Sequence, residues 1–98
     1  KKIGEIYMNV HIFDKPGCPK CRMTERAFKR LGVDVEIDTL FDESDTRSME
    51  LTEKTIPKLK ERYSSFPIVT LKDDLGNVLD EWCDLRVDKI NKYFRKSA

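Results

Sequence analysis

The sequence predicts an α/β protein: a mixed four-stranded sheet flanked by three helices, in the order β-α-β-α-β-β-α. Three observations predict it. Short runs of β-forming residues, several with alternating apolar positions, recur along the chain. Between the first two lies a stretch of helical spacing with both a start and a stop signal. Between the last two lies a tight turn, "DDLGN". A helical connection implies a right-handed parallel crossover, whereas a tight turn implies an antiparallel pair, so the sheet is mixed.

The elements follow in order. "IYMNVHIF", from Ile6 to Phe13, reads as the first strand, and "DKPG" breaks it. From Pro19 to about Leu31, the residues Met23, Ala27, Phe28 and Leu31 fall on one helical face, and Gly32 sits where a helix stop belongs. Pro19 suits the first turn, because the N–H it lacks would have gone unpaired there. "VDVEID", from Val33 to Asp38, alternates cleanly as a second strand. The polar stretch that follows reads as helical from about Ser44, with Pro57 expected to kink or split it. "FPIVTLK", Phe66 to Lys72, is a third strand, and Asn77 opens the fourth, "NVLDEW". From about Val87, "VDKINKYFRK" reads as a closing helix that turns Val87, Ile90, Tyr93 and Phe94 inward. No repeat, low-complexity tract or linker interrupts the chain, so residues 1–98 are expected to form a single domain.

Composition narrows the function. Hydrophobic residues make up 39% of the 98, enough for one modest core. Charged residues make up 38%, yet the formal net charge is only +1, which argues against a nucleic acid or a membrane surface as partner. No segment is long enough to span a membrane, and "KKIGEIYMNV" lacks the apolar run and cleavage site of a signal peptide. Three cysteines is an odd count for a secreted disulfide scaffold. The expectation is a monomer in a reducing cytoplasm, where a close cysteine pair is catalytic or metal-binding rather than a permanent staple.

That pair lies in "KPGCPKCRM", Lys15 to Met23. Cys18 falls at the N-cap of the first helix, where unpaired N–H groups and the helix dipole favour an anion. A thiolate is an anion, so the Cys18 pKa should fall below the free value of about 8.5. Lys15 and Lys20 would add to the effect. Cys18 then acts as an exposed nucleophile toward a substrate disulfide. Cys21, one turn later and more shielded, attacks the mixed disulfide and closes an intramolecular bridge. The competing reading is a zinc-held interaction module without redox activity, with Cys18, Cys21, Cys83 and His11 as a Cys₃His set. Continuation of a helix through Arg22 and Met23 speaks against a zinc knuckle.

With these residues in view, "HIFDKPGCPKCRMTERAFKRLGVDVEIDTL" resembles the first βαβ unit of the glutaredoxin group of the thioredoxin superfamily. The resemblance implies a thioredoxin fold and thiol–disulfide oxidoreductase activity, with no bound cofactor beyond the Cys18–Cys21 disulfide. "SSFPIV" is similar to the segment where the superfamily carries a cis-proline beside the dithiol. By that likeness Phe66–Pro67 is a cis bond, and Phe66 and Pro67 shape the substrate groove. Glutathione-using glutaredoxins place a Gly-Gly pair after the fourth strand; here Glu81 and Trp82 occupy those positions, and only Cys83 and Asp84 keep the pattern. A bulky indole there argues against strong glutathione binding. NrdH-type redoxins carry Trp-Ser-Gly-Phe-Arg-Pro-Asp at this place, matched here by Trp82, Arg86 and Asp88. Such redoxins give electrons to a ribonucleotide reductase and are recharged by thioredoxin reductase, which makes those two the expected partners. The expected site is therefore Cys18 and Cys21 as catalytic residues. Lys15, Pro19, Phe66, Pro67, Trp82, Asp84, Arg86 and Asp88 form the partner-binding surface. The segment from Phe41 to Tyr63 is longer than in either subgroup and carries either partner specificity or packing.

Overall fold

Val10 and Ile12 alternate with His11 and Phe13, so one strand presents an apolar side chain to each side of a sheet. A computed structural model describes the backbone of residues 2, 3 and 6–94 and the side chains of 8–94. Its elements are β1 (Lys2–Ile3), β2 (Ile6–Tyr7), β3 (Asn9–Asp14), α1 (Pro19–Arg30), β4 (Val35–Thr39), α2 (Thr46–Leu59), β5 (Ile68–Lys72), β6 (Val78–Cys83) and α3 (Val87–Phe94). The four-stranded sheet has the order β4-β3-β5-β6. β3 and β4 are parallel, from Val10↔Val35 to Asp14↔Thr39. β5 runs antiparallel to β3, with Phe13 opposite Ile68, and β6 antiparallel to β5. The expected mixed sheet and element order are therefore present.

The first strand differs from its expected bounds. Ile6–Tyr7 pairs with Lys2–Ile3 in a separate two-stranded ladder, and the sheet strand begins only at Asn9. Asn77 does not open β6 but closes the preceding turn, its backbone N–H donating to the Asp73 carboxylate at 2.9 Å. Lys96 and Arg95, expected in the closing helix, lie outside the described residues.

Two apolar clusters sandwich the sheet. One joins Val10, Ile12, Val69, Leu71 and Trp82 to Phe28 of α1 and to Ile90 and Phe94 of α3. Phe28 and Phe94 meet edge to face at 5.5 Å. The other joins Leu40, Leu59 and Ile68, with Phe13, Leu51, Ile56 and Phe66 packed against it, beneath α2. β5 is central and covered on both sides, so four of its five residues are buried in succession.

Helix phase departs from the expectation at two positions. The buried stripe of α1 is Cys21, Thr24 and Phe28, while Met23 is 52% exposed. Val87 is likewise exposed, leaving Ile90 and Phe94 as the buried residues of α3. Pro57 neither splits nor ends α2. It lies within the last turn, where the hydrogen bond it deletes has few successors, and the Lys60 N–H resumes the pattern to Ile56 O at 2.9 Å.

The segment from Phe41 to Tyr63 is a loop and α2, packed on the sheet. Asp45 caps α2 by accepting from the N–H groups of Arg47 and Ser48 at 3.0 and 3.4 Å. Ser48 donates to Thr39 O at 2.6 Å, and Thr52 Oγ1 accepts from the Phe41 N–H at 2.9 Å. These bonds tie the helix to the end of β4 and fix Phe41 at φ 60°. Among the described residues no helix is long and apolar enough to cross a membrane.

Candidate dithiol site

β3 ends at Asp14, and the chain must turn within four residues to start α1 at Pro19. Gly17 makes that turn at φ 67°, a region that L side chains rarely adopt. Cys18 follows with extended backbone and is the N-cap; Pro19 occupies the first helical position. The N–H of Cys21 donates to Cys18 Sγ at 3.1 Å, so a helix-terminus donor is aimed at that sulfur. The two cysteines are joined as a disulfide with Cα atoms 5.3 Å apart. Cys18 is 7% exposed and Cys21 1%: Cys18 is the less covered of the two, but it is buried rather than exposed as expected, because the residues around the cysteine turn cover it in the disulfide form.

The opposite wall comes from the β3–β5 register. Because Phe13 faces Ile68, the corner before β5 lies beside the cysteine turn. That corner holds Phe66–Pro67, a cis peptide bond. The Lys15 ammonium sits 5.3 Å from the Phe66 ring centroid, and Phe41 approaches the same ring edge-on at 6.0 Å. Lys20, between the two cysteines, pairs with Asp84 at 2.8 Å. Asp84 in turn donates its N–H to Pro67 O at 2.9 Å, adopting φ 73°. The Lys20 ammonium, helped by the Leu85 N–H, holds the Asp84 carboxyl below its usual range. The structure thus gathers Lys15, Pro19, Phe66, Pro67 and Asp84 around Cys18 and Cys21.

Trp82 is not on that rim. It is 3% exposed within the main core cluster, its ring stacked on Tyr93 at 6.4 Å. Strand alternation explains the difference: Trp82 faces the α1–α3 side, whereas Glu81 faces the other and accepts from Tyr63 and Thr70. The expected indole bulk in the groove is therefore absent, because that indole lies beneath α3. Arg86 and Asp88 form a two-pronged ion pair at 3.0 and 2.8 Å that ties the turn after β6 to the start of α3. Arg86 holds the Asp88 carboxyl down to about 2.

The Cys₃His set does not assemble. His11 Nε2 lies 2.7 Å from Asp38 Oδ2 on β4, and Cys83 Sγ accepts from Ser65 Oγ at 3.4 Å. Among the described residues the metal-compatible grouping is His11, Glu36 and Asp38, without a cysteine.

Two acidic residues near the dithiol escaped the sequence reading. Glu25 on α1 is partly buried and lies beside the Asp14 carboxyl at the end of β3. Burial first, and then Asp14, pushes the Glu25 carboxyl up to about 7, with Arg22 opposing. Asp14 also accepts from Thr39 Oγ1 at 2.6 Å. The signal available in the sequence was a glutamate four residues after Cys21. Its partner across the sheet could not be read from spacing.

No curated protein matches the chain. Solved structures do. The glutaredoxin-like NrdH-redoxin of Escherichia coli superposes with a TM-score of 0.64 at 20% identity, covering 92% of this chain and 97% of its own. A glutaredoxin of Archaeoglobus fulgidus gives 0.63 at 23% identity, over 90% and 87%. Glutaredoxin 1 of Francisella tularensis gives 0.53 at 16%, over 88% and 93%. These likenesses establish the thioredoxin fold. The glutaredoxin family model matches residues 10–75, a span that runs from β3 through the cysteine pair and the cis-proline. Matching most of the sequence and containing the paired Cys18 and Cys21 at the head of α1, the chain belongs to the glutaredoxin family of thiol–disulfide oxidoreductases.

Proposed function

We propose that the protein is a dithiol electron donor in which Cys18 attacks, Cys21 resolves and Pro67 shapes the groove. One observation carries this reading: Cys18 Sγ sits at the N-cap of α1, accepts the Cys21 N–H at 3.1 Å and is already bonded to the Cys21 sulfur. In the reduced protein, that amide and the helix dipole stabilise the Cys18 thiolate. The thiolate attacks a substrate disulfide, forms a mixed disulfide and releases one substrate thiolate. Cys21 then loses its proton and attacks Cys18 Sγ, which closes the bridge and frees the second thiolate. Two electrons pass to the substrate, and a reductase restores the dithiol by the reverse exchange.

The acceptor is proposed to be a ribonucleotide reductase and the donor thioredoxin reductase, in the cytoplasm, with residues 1–98 acting as one domain and as a monomer. The likeness to the Escherichia coli NrdH-redoxin, a glutaredoxin-like protein with a thioredoxin-like activity profile, supports that assignment. Lys15, Phe66 and Asp84 flank the approach to the dithiol, Arg86 and Asp88 add charge beside it, and Trp82 supports this surface from below.

Glutathione is the competing reductant. Against it stands Asp84, the aspartate that glutathione-using relatives retain: here its carboxylate is already engaged by Lys20 at 2.8 Å. The two readings separate in one assay. With NADPH and thioredoxin reductase, the protein should reduce a ribonucleotide reductase disulfide or insulin with multiple turnovers. With glutathione and its reductase, turnover should be at least about tenfold slower, a difference of roughly 1.4 kcal/mol in barrier. Turnover with glutathione alone would reverse the assignment.

A further inference from the structure

The sheet carries a second group of chemistry-bearing side chains, apart from the dithiol. In the parallel β3–β4 ladder His11 stands opposite Glu36, and Phe13 opposite Asp38. Side chains alternate along a strand, so His11, Glu36 and Asp38 all project to one face. Val10 and Ile12 take the other face, toward α1 and α3. α2 packs on the first face over Phe13 and Ile68, while Glu36 stays exposed. One ligand-capable atom from each of the three residues lies within 4.8 Å of the other two. His11 Nε2 and Asp38 Oδ2 are 2.7 Å apart.

Two features set this group apart from an acidic patch. One donor is an imidazole nitrogen held on an interior strand: the His11 ring meets Phe13 edge to face at 4.5 Å, and its side chain is 20% exposed. The carboxylates, moreover, have no permanent counter-charge. Among the described residues neither Glu36 nor Asp38 pairs with a lysine or an arginine. Lys72 shares the crevice on the other side of His11, and Arg47 shares a neighbouring one with Asp38. Carboxylates this close repel each other unless a positive charge stands between them. The imidazole supplies at most one such charge, and a divalent ion supplies two.

The donor set selects the ion. An imidazole with two carboxylates and no thiolate suits a borderline first-row divalent cation, and three protein ligands leave a position for water. Ligand atoms at about 2.1 Å from a tetrahedral ion lie about 3.4 Å from one another. Rotation of the exposed Glu36 side chain brings the set to that spacing without moving the strands.

We propose that His11, Glu36 and Asp38 bind one divalent transition-metal ion of the zinc class and so fasten the edge strand β4 to β3. At about 3.3 Å per residue, His11 lies about 10 Å along β3 from its end at Asp14, so the cysteines are not ligands. The site therefore stands whether or not the dithiol exchanges electrons. The three donors meet only in the folded ladder, so the ion stabilises the native state by mass action.

The test uses the full chain in its disulfide form with Cys83→Ser, so that no thiol can bind metal. Zinc(II) is titrated in competition with a chromophoric chelator. One ion per chain should bind, and an excess of about a hundredfold over Kd should raise the melting temperature by at least about 10 °C. In this background His11→Ala and Asp38→Asn should each weaken binding at least about a hundredfold, the upper end of what loss of a supporting partner alone costs. Glu36→Gln, at an exposed position that leaves the His11–Asp38 pair in place, keeps the fold and should weaken binding at least about tenfold. Asp74→Asn removes an exposed carboxylate from the turn before β6 and should bind as the parent does. Absence of saturable binding at one ion per chain would overturn the proposal. So would binding that Glu36→Gln leaves unchanged, or that Asp74→Asn weakens equally, the mark of adventitious association with surface carboxylates.

Discussion

Replacing Cys18 with serine removes disulfide reduction, while replacing Cys21 with serine stops the cycle halfway and leaves substrate attached to Cys18. The asymmetry follows from position. Cys18 is the less buried of the two cysteines, and its sulfur is the one that receives the helix-terminus amide at 3.1 Å. A serine hydroxyl there stays protonated and cannot attack a disulfide, so the rate should fall at least about a thousandfold, the scale on which loss of a covalent nucleophile is felt. Cys21 is nearly inaccessible, and its sulfur reaches the Cys18 sulfur with Cα atoms 5.3 Å apart. Without it the first exchange still runs, but nothing within the protein releases the product. Mass spectrometry of Cys21→Ser mixed with a disulfide partner should show the adduct on Cys18. An adduct on Cys83, or an active Cys18→Ser, would assign the chemistry to the wrong sulfur.

Phe28→Ala should destabilise the protein by about 3–5 kcal/mol, the range for truncating a buried phenylalanine. Phe28 is fully buried where α1 meets the sheet, and it contacts Phe94 edge to face at 5.5 Å. The truncation leaves a cavity and forfeits the ring pair, itself worth about 0.5–1.5 kcal/mol. Because Cys18 and Cys21 ride on the first turn of α1, the same change loosens the dithiol. Urea unfolding checks the magnitude: the midpoint should fall with the slope unchanged. Met23→Ala, on the exposed side of the same helix, is the control and should stay within about 0.5 kcal/mol. A loss at Phe28 no greater than at Met23 would mean that α1 is not anchored through this ring.

What could be read in the sequence was mostly local. Pro19 and Gly32 bracket α1, Cys18 takes the N-cap between a strand and a helix, and "DDLGN" forms the turn before β6. Each of these signals acts within a few residues, and spacing records it. Helix phase was less secure. Met23 and Ala27 are four apart, as are Thr24 and Phe28, and only packing against the sheet decides which stripe is buried. Pro57 looked disruptive because its cost depends on how many helical bonds follow it, which the sequence does not show.

The site divides in the same way. The dithiol was legible from its own motif. The Lys20–Asp84 pair joins residues 64 positions apart, and the Glu25–Asp14 pair joins a helix to the strand before it. Tertiary placement makes both. Trp82 shows the reverse case: matched to a family pattern as a surface feature, it is a core residue because its strand register turns it toward Tyr93.

The account depends on Cys18 being an anion at neutral pH. The direct measurement is the pH dependence of iodoacetamide alkylation in the reduced protein, read at Cys18 by peptide mass spectrometry so that Cys21 and Cys83 do not contribute. The rate should reach half its plateau well below about 8.5, the value for a free thiol. A half-point at or above that value would contradict the role assigned to the helix terminus and, with it, Cys18 as the attacking sulfur.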